Sequence, residues 1–290
     1  MGKKIWAVAQ QRAGELNRMS WEAIVAAQKL ARLLDGEVEV VVLGEGDPVK
    51  SVTSDLARAS VQCVRTADHP ALASYTPGAY VGLFRSAIEK ALPGLIILPH
   101  TYQSIDFMAR LAQESGFALV PEVTEAGLED GRLALRRPIM GGKLSAKVAI
   151  KDGSSAILSV QSGAFAAADL EEGDGAPSEA LEFDAAAVSP DREILGVEEV
   201  GGEQVDLSQA SVIVAVGRGV GGADKMAPVE ELAQALGAEI GASRPVIDNG
   251  WLPRDRQIGS SGQTVAPKLY IALGISGAIQ HLVGMKGSQV

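Results

Sequence analysis

Gly94-Leu-Ile-Ile-Leu-Pro99 carries no polar side chain and is bounded by a glycine and a proline. A run this short and this apolar reads as a strand covered on both faces. Glu37-Val-Glu-Val-Val-Val-Leu43, ending at Gly44, and Lys4-Ile-Trp-Ala-Val-Ala9 read the same way. Between them, Ile24, Ala27, Leu30, Ala31 and Leu34 recur at helical spacing from Trp21 to Leu34, and Asp35-Gly36 stops the helix. Further helices are expected near 47–60, 77–91 and 103–115. Strands that are apolar throughout, alternating with helices, imply a parallel sheet with helices on both faces.

After residue 118 the pattern changes. Arg132-Leu-Ala-Leu-Arg136, Ser145-Ala-Lys-Val-Ala-Ile150 and Ala156-Ile-Leu-Ser-Val160 are separated by Gly and Asp turns and read as antiparallel strands closing the first domain. Further strands are expected at 180–184 and 193–200. The α/β pattern then restarts: strand Ser211–Val216, helix Pro228–Leu236, strand Leu269–Leu273, and a helix from Ala278. The fold class is α/β: two Rossmann-like domains with parallel sheets, the first with added antiparallel strands. The expected domains are 1–204 and 205–290, with an acidic connection over about 169–204.

The 290 residues suffice for two domains, and 47% hydrophobic with 21% charged residues is a globular balance. A lone cysteine, Cys63, excludes an internal disulfide and a cysteine-based metal cluster and fits a reducing compartment. No apolar run approaches the ~20 residues that span a bilayer. Met1-Gly-Lys-Lys-Ile5 leads into the first strand without the apolar core of a signal peptide, so the expected location is cytoplasmic. The net charge of −10 is uneven: residues 1–168 hold 18 basic and 17 acidic side chains, 169–204 hold 1 and 12, and 205–290 hold 7 of each. Without a basic stripe, nucleic acid is not expected as a partner. Asp169-Leu-Glu-Glu-Gly-Asp-Gly-Ala-Pro-Ser178 has the composition of a solvated connection, with a docking surface for a basic partner as the alternative.

Gly217-Arg-Gly-Val-Gly-Gly222 places glycines 217, 219 and 222 in G-x-G-x-x-G spacing between a strand and a helix, a context in which backbone amides approach a pyrophosphate. Arg218 inside that turn is not a fold requirement and suits a phosphate or carboxylate. Gly274-Ile-Ser-Gly-Ala-Ile-Gln-His281 is a second strand-to-helix turn, with Ser276 near the helix cap and His281 in the first turns. Gly259-Ser-Ser-Gly262 is a small-residue loop suited to close ligand approach. Arg244 precedes Pro245 and is expected to be extended. Each feature also has a plain structural reading: a tight turn, a hydrogen-bonded core histidine, a simple loop, a surface ion pair. Only His69, His100 and His281 are present, and no H-E-x-x-H, G-x-S-x-G or P-loop lysine occurs, which disfavours hydrolase and metalloenzyme chemistry.

Ser243-Arg-Pro-Val-Ile-Asp-Asn-Gly-Trp-Leu-Pro253, Arg256-Gln-Ile-Gly259 and Val265-Ala-Pro-Lys-Leu-Tyr-Ile-Ala-Leu-Gly-Ile-Ser-Gly-Ala-Ile-Gln-His281 together resemble the alpha subunit of electron transfer flavoprotein. The Val216-Gly-Arg-Gly219 turn fits the same family. The resemblance implies a heterodimer with a beta subunit and one FAD held mainly by the C-terminal domain. It implies electron carriage from acyl-CoA or related dehydrogenases toward a quinone oxidoreductase, without membrane insertion. Carried over by position, Arg218, Ser243, Arg244, Ile258, Gly259, Ser260, Ser261, Ser276, Gly277, Ala278, Ile279, Gln280 and His281 would contact FAD. In the family an AMP site belongs to the beta subunit, so none is assigned here. Negative charge arising near flavin N1 and O2 on reduction would be stabilised by the helix N-terminus, His281 and Arg244, while Ser261 would hydrogen-bond N5. No nucleophile or general acid is needed; the role is that of an electron carrier rather than a conventional enzyme.

Three departures from the family pattern stand out. Ser260-Ser261 stands where Gln-Thr or Gln-Ser is usual, so the first amide is lost and the second hydroxyl kept. Val160-Gln-Ser-Gly163 lacks a common Arg-Pro pair. The family continues with a further strand and helix beyond the region where this chain stops at Val290, so the FAD-binding domain reads as truncated, with an exposed edge strand. The alternatives are an electron-bifurcating relative that oxidises NADH, an NAD-dependent dehydrogenase suggested by G-x-G-x-x-G, and a non-catalytic nucleotide-binding scaffold.

Overall fold

The computed structural model describes residues 4–196 and 205–290. These form two compact units, one over 4–139 and 144–196, the other over 140–143 and 205–290. The expected boundary at residue 204 lies outside the described residues.

The first unit is built on β1 (Lys4–Ala9), β4 (Glu37–Gly44) and β6 (Leu95–Pro99), with a small hairpin of β2 (Gln11–Arg12) and β3 (Glu15–Leu16) after β1. Alternate residues of β1 face opposite layers. Ile5, Ala7 and Ala9 pack with Ile24, Ala27 and Leu30 of α1 (Met19–Leu34) and with Val49, Val52 and Leu56 of α2 (Asp47–Leu56). Trp6 and Val8 pack with Leu83 and Phe84 of α3 (Pro77–Ala91) and Phe107 and Leu111 of α4 (Tyr102–Ser115). The period of two is why a strand with apolar residues on both faces needs helices on both faces. As expected, Asp35 ends α1: it is left-handed (φ 51°) and its N–H donates to Ala31 O.

Four further strands complete a seven-stranded sheet: β5 (Cys63–Asp68), β7 (Ala118–Val123), β11 (Ala156–Val160) and β12 (Ser178–Ala180), in the order β12-β5-β4-β1-β6-β11-β7. Every pair in it is parallel. Ala156–Val160 is therefore not antiparallel as expected. It is buried along its whole length between β6 and β7, the environment that its unbroken small and apolar run suits. The antiparallel part is a separate three-stranded sheet of β8 (Glu125–Glu129), β9 (Arg132–Ile139) and β10 (Leu144–Ala149).

The acidic stretch is exposed along most of 172–180, as a solvated segment is, but it is tied to the first unit. Residues 169–196 run along the first unit: Ser60 N donates to Glu171 O, Val64 N to Pro177 O and Leu181 N to Thr66 O. Leu181 and Val188 are buried with α3 and α4. A Cβ on Gly78 would lie 2.7 Å from the Asp191 side chain, and one on Gly82 would overlap the Ala187 carbonyl. Two helical glycines thus make room for this segment. Of the strand expected at 180–184, only Ala180 is in one, as the end of β12. In the range 193–200, residues 193–196 are irregular and the rest lie outside the described residues.

The second unit has a three-stranded parallel sheet, β14-β13-β15, of β13 (Val212–Val216), β14 (Glu239–Ala242) and β15 (Leu269–Leu273). Ile213 and Ala215 face Ile258, Val265 and Tyr270, while Val214 and Val216 face Met226, Val229 and Ala233. Its helices are α5 (Ala227–Leu236), α6 (Arg244–Asp248) and α7 (Ile279–Met285). β13 is central: the chain goes from it to β14 on one side and later to β15 on the other. Such a reversal opens a crevice at the carboxyl ends of the strands, where open α/β sheets take their ligands.

Candidate functional site

The turns after β13, β14 and β15 all lie at that carboxyl edge. After β13, Gly217 N donates to Leu273 O at 2.8 Å and Gly219 N to Gly274 O at 2.9 Å. A Cβ on Gly217 would overlap the Gly274 carbonyl, and one on Gly274, whose φ is +65°, would lie 2.6 Å from Val220 N. The glycines therefore interlock two turns backbone to backbone. They do not open directly onto a helix, contrary to the fingerprint reading. Two 3-10 turns, Arg218–Val220 and Ala223–Lys225, intervene before α5 begins at Ala227. Arg218 is exposed on the first of them.

After β14, Ser243 N donates to Val216 O at 2.9 Å, and Ser243 is buried. Arg244 is not extended. It is the first residue of α6, with Ser243 in extended geometry (φ −78°, ψ 154°) before it. The proline at the helix start supplies a φ that the first turn needs, which outweighs its effect on the residue before it. The Arg244 side chain is 69% exposed, with Nε 3.4 Å from Asp248 Oδ2.

The 257–261 loop extends this edge. Ile258 N donates to Ala242 O at 2.8 Å, and the Ile258 side chain is core, so only its backbone is available to a ligand. Ser260 N donates to Gln280 O at 2.7 Å, and a Cβ on Gly259 (φ +139°) would lie 2.7 Å from the same oxygen. The loop is thus clamped to α7, which brings Ile258, Gly259, Ser260 and Ser261 beside Gln280 and His281. Ser261 Oγ accepts from Gln257 Nε2 at 2.9 Å.

After β15, Ser276, Gly277, Ala278, Ile279 and Gln280 are exposed. Ala278 caps α7 without a side-chain hydrogen bond, so Ser276, two residues upstream, does not cap it. No atom lies within 4 Å of where a Gly277 Cβ would stand, and its φ is +73°. His281 is buried, its Nε2 2.7 Å from the Tyr270 hydroxyl. His281 Nδ1 is buried and makes no hydrogen bond of acceptable geometry. Burial holds the imidazole pKa below the usual histidine range, against a smaller opposing pull from the Ile258 backbone.

Tyr270 and Gln257 are the partners that sequence reasoning passes over. Tyr270 is the one polar tip in Leu269-Tyr-Ile-Ala-Leu273, and Gln257 stands within the Arg256–Gly259 run. A second polar cluster lies in the first unit: Ser159 Oγ is 2.8 Å from His100 Nδ1, and Glu122 Oε1 is 3.7 Å from His100 Nε2. Ser159 is fully buried and also accepts from Glu122 N, so this arrangement is no exposed nucleophile. Among the described residues no group of His, Cys, Asp and Glu is placed to hold a metal ion, and no helix is long and apolar enough to cross a membrane.

Comparison with known proteins places the chain in a family. The electron transfer flavoprotein domain matches residues 5–186, and the electron transfer flavoprotein FAD-binding domain matches residues 206–286. The chain belongs to the electron transfer flavoprotein alpha subunit family. The alpha subunit of Thermoanaerobacterium thermosaccharolyticum is 35% identical over 99% of this chain and 86% of its own length. That of Bacillus subtilis is 35% identical over 100% of this chain and 87% of its own. Protein FixB of Clostridium saccharobutylicum is 32% identical over 99% and 86%.

The cofactor of this family member is FAD. The residues of the second unit suit it. Two exposed guanidiniums, Arg218 and Arg244, offer charge to a pyrophosphate or an electron-rich ring. Gly277 leaves open space beside the backbone, and His281 carries a buried nitrogen without a good partner.

Proposed function

We propose that this chain is the FAD-carrying subunit of a cytoplasmic heterodimer with a beta subunit, taking electrons from acyl-CoA or related dehydrogenases and passing them toward a quinone oxidoreductase. The observation that carries the reading is the carboxyl edge of the β14-β13-β15 sheet, where the turns after the three strands and the 257–261 loop hold the candidate contact residues. FAD supplies the electron-accepting and electron-donating chemistry when bound. The protein supplies binding and electrostatics.

In this reading Arg218 and Ser243 hold the cofactor from the β13 and β14 turns. Arg244 lies beside negative charge that arises on reduction. Its pair with Asp248, exposed on both sides, is worth under ~0.5 kcal/mol and is easily given up. Ile258, Gly259 and Ser260 contribute backbone, and Ser261 a hydroxyl already oriented by Gln257. Ser276, Gly277, Ala278, Ile279 and Gln280 line the exposed turn into α7. His281 is neutral and offers a hydrogen bond rather than a full charge.

Copurification with the beta subunit, followed by counting FAD per heterodimer, tests this. One FAD supports a simple carrier; two support the electron-bifurcating relative. A heterodimer that takes up no FAD from a reconstitution mixture overturns the reading.

A further inference from the structure

Tyr270 lies on β15 and His281 on α7, so their hydrogen bond ties the last strand of the small sheet to the helix that follows it. Tyr270 O and His281 Nε2 are 2.7 Å apart, and both residues are under 10% exposed. The two possible proton placements are not equivalent. With the proton on Nε2, the Tyr270 hydroxyl would accept, and its own hydrogen would need another acceptor; among the described residues it has none. With the proton on Nδ1, the hydroxyl donates to Nε2 and its hydrogen has an acceptor, while the Nδ1 hydrogen is left for a partner that the described residues do not supply. The phenol supports this arrangement, since burial raises its pKa and keeps it a donor.

We infer that Tyr270 is a positioning residue that fixes His281 as the Nδ1–H tautomer, so that the imidazole offers FAD a donor and never an acceptor. The part concerning FAD rests on the reading that His281 is a cofactor contact. The part concerning the tautomer does not. The device is analogous to the carbonyl or carboxylate that fixes a metal-bound histidine, with the partner here a donor instead of an acceptor.

The test begins on the full chain without FAD, by imidazole nitrogen NMR at pH 8, with His281 assigned by its loss in His281→Asn. The expected spectrum shows His281 protonated at Nδ1 and bare at Nε2. Tyr270→Phe abolishes that single tautomer while the amide spectrum of the first unit stays in place. In the heterodimer, Tyr270→Phe weakens FAD about five- to tenfold, the loss of one hydrogen bond's net worth, and shifts the potential of bound FAD. An Nε2–H tautomer in the unsubstituted chain overturns the proposal, and this result stands even where Tyr270→Phe fails to fold. Survival of the Nδ1–H tautomer in Tyr270→Phe overturns it as well. If His281→Asn changes FAD affinity and potential but Tyr270→Phe changes neither, the positioning role fails. If neither variant changes them, the reading of His281 as a cofactor contact fails instead.

Discussion

The described residues contain two parallel sheets, each with a reversal of strand order beside a central strand, and the two reversals are finished differently. In the first unit the reversal lies beside β1, between β4 and β6. Its carboxyl edge is sealed. Gln10 Nε2 donates to Ser104 Oγ at 2.8 Å, Thr101 Oγ1 donates to Gln10 Oε1 at 2.8 Å, and Gln10 N donates to Ser20 Oγ at 2.9 Å. Farther along the same edge, Glu22 Oε2 accepts from Gly163 N at 2.7 Å. In the second unit the corresponding edge leaves Arg218, Arg244, Ser276 and Gly277 exposed. One topological feature thus serves as a closed polar core in one place and as an open edge in the other. Topology selects where a site can be; which polar groups remain unspent decides whether one exists.

The largest effect expected is from Gly217→Ala. Its φ of −112° suits any residue, so the whole effect is steric: the new methyl meets the Gly274 carbonyl, backbone against backbone. Neither turn yields without disturbing the β13–β15 pairing. A loss of about 3 kcal/mol or more is expected in the second unit, with FAD binding abolished. Hydrogen exchange resolved by unit checks it: the first unit should keep its protection. Loss of protection in both would show that the two edges are not independent.

Next is the sealed edge itself. Burial pushes the Glu22 carboxyl up to about 7, against the Gly163 amide and Arg18, which favour the charged form. The folded chain therefore holds this proton more tightly than the unfolded chain, whose carboxyl titrates near 4.5. The resulting stability is fully present below that value and is lost as pH rises to about 7, a swing of about 2–3 kcal/mol. Denaturant unfolding between pH 5 and 8 should show it, and Glu22→Gln should flatten it. An unchanged slope in Glu22→Gln would place the dependence elsewhere.

How much of this is legible in sequence follows from the same contrast. β1, β4, β6 and β13 can be read because both their faces are buried in apolar layers, and β15 from its apolar run alone, since only Tyr270 of it is buried. β5 hides because Arg65 and its neighbours look polar; the structure satisfies Arg65 with Glu39 and Glu179. β7 hides behind Pro121-Glu122, where Glu122 has φ +58°. The acidic stretch misleads most, since its few apolar anchors, Leu181, Phe183 and Val188, are scattered among carboxylates. Their burial depends on Gly78 and Gly82 far upstream, a long-range fit that composition does not record. In the second unit the candidate turns can be located, because ligand-facing loops carry small and charged residues at fixed spacing. Tyr270 escapes notice because an inward hydroxyl resembles any other strand residue.

Gln10→Ala sharpens the comparison at a smaller scale. It strips the partner from Thr101 and Ser104 on the sealed edge, at a cost of about 1–2 kcal/mol, and should leave FAD affinity unchanged. Thermal unfolding and a cofactor titration on one sample distinguish this from any role in binding.

Arg244→Ala is the smallest change in stability and the most direct probe of the open edge. The guanidinium is mostly solvated and its pair with Asp248 is weak, so folding should shift by under ~0.5 kcal/mol. In the proposed role its charge acts chiefly on reduced, more negative FAD. Removing it should then lower the potential of bound FAD by about 20–30 mV for a two-electron couple, the equivalent of about 1 kcal/mol. Potentiometry of the heterodimer reads this independently of stability. A potential equal to that of the unsubstituted protein would remove Arg244 from the cofactor's surroundings. It would also show that exposure at a strand's carboxyl end does not by itself put a charge to use. A drop in potential with stability unchanged is what an open edge predicts, whereas on the sealed edge Gln10 cannot be removed without leaving Thr101 and Ser104 short of a partner.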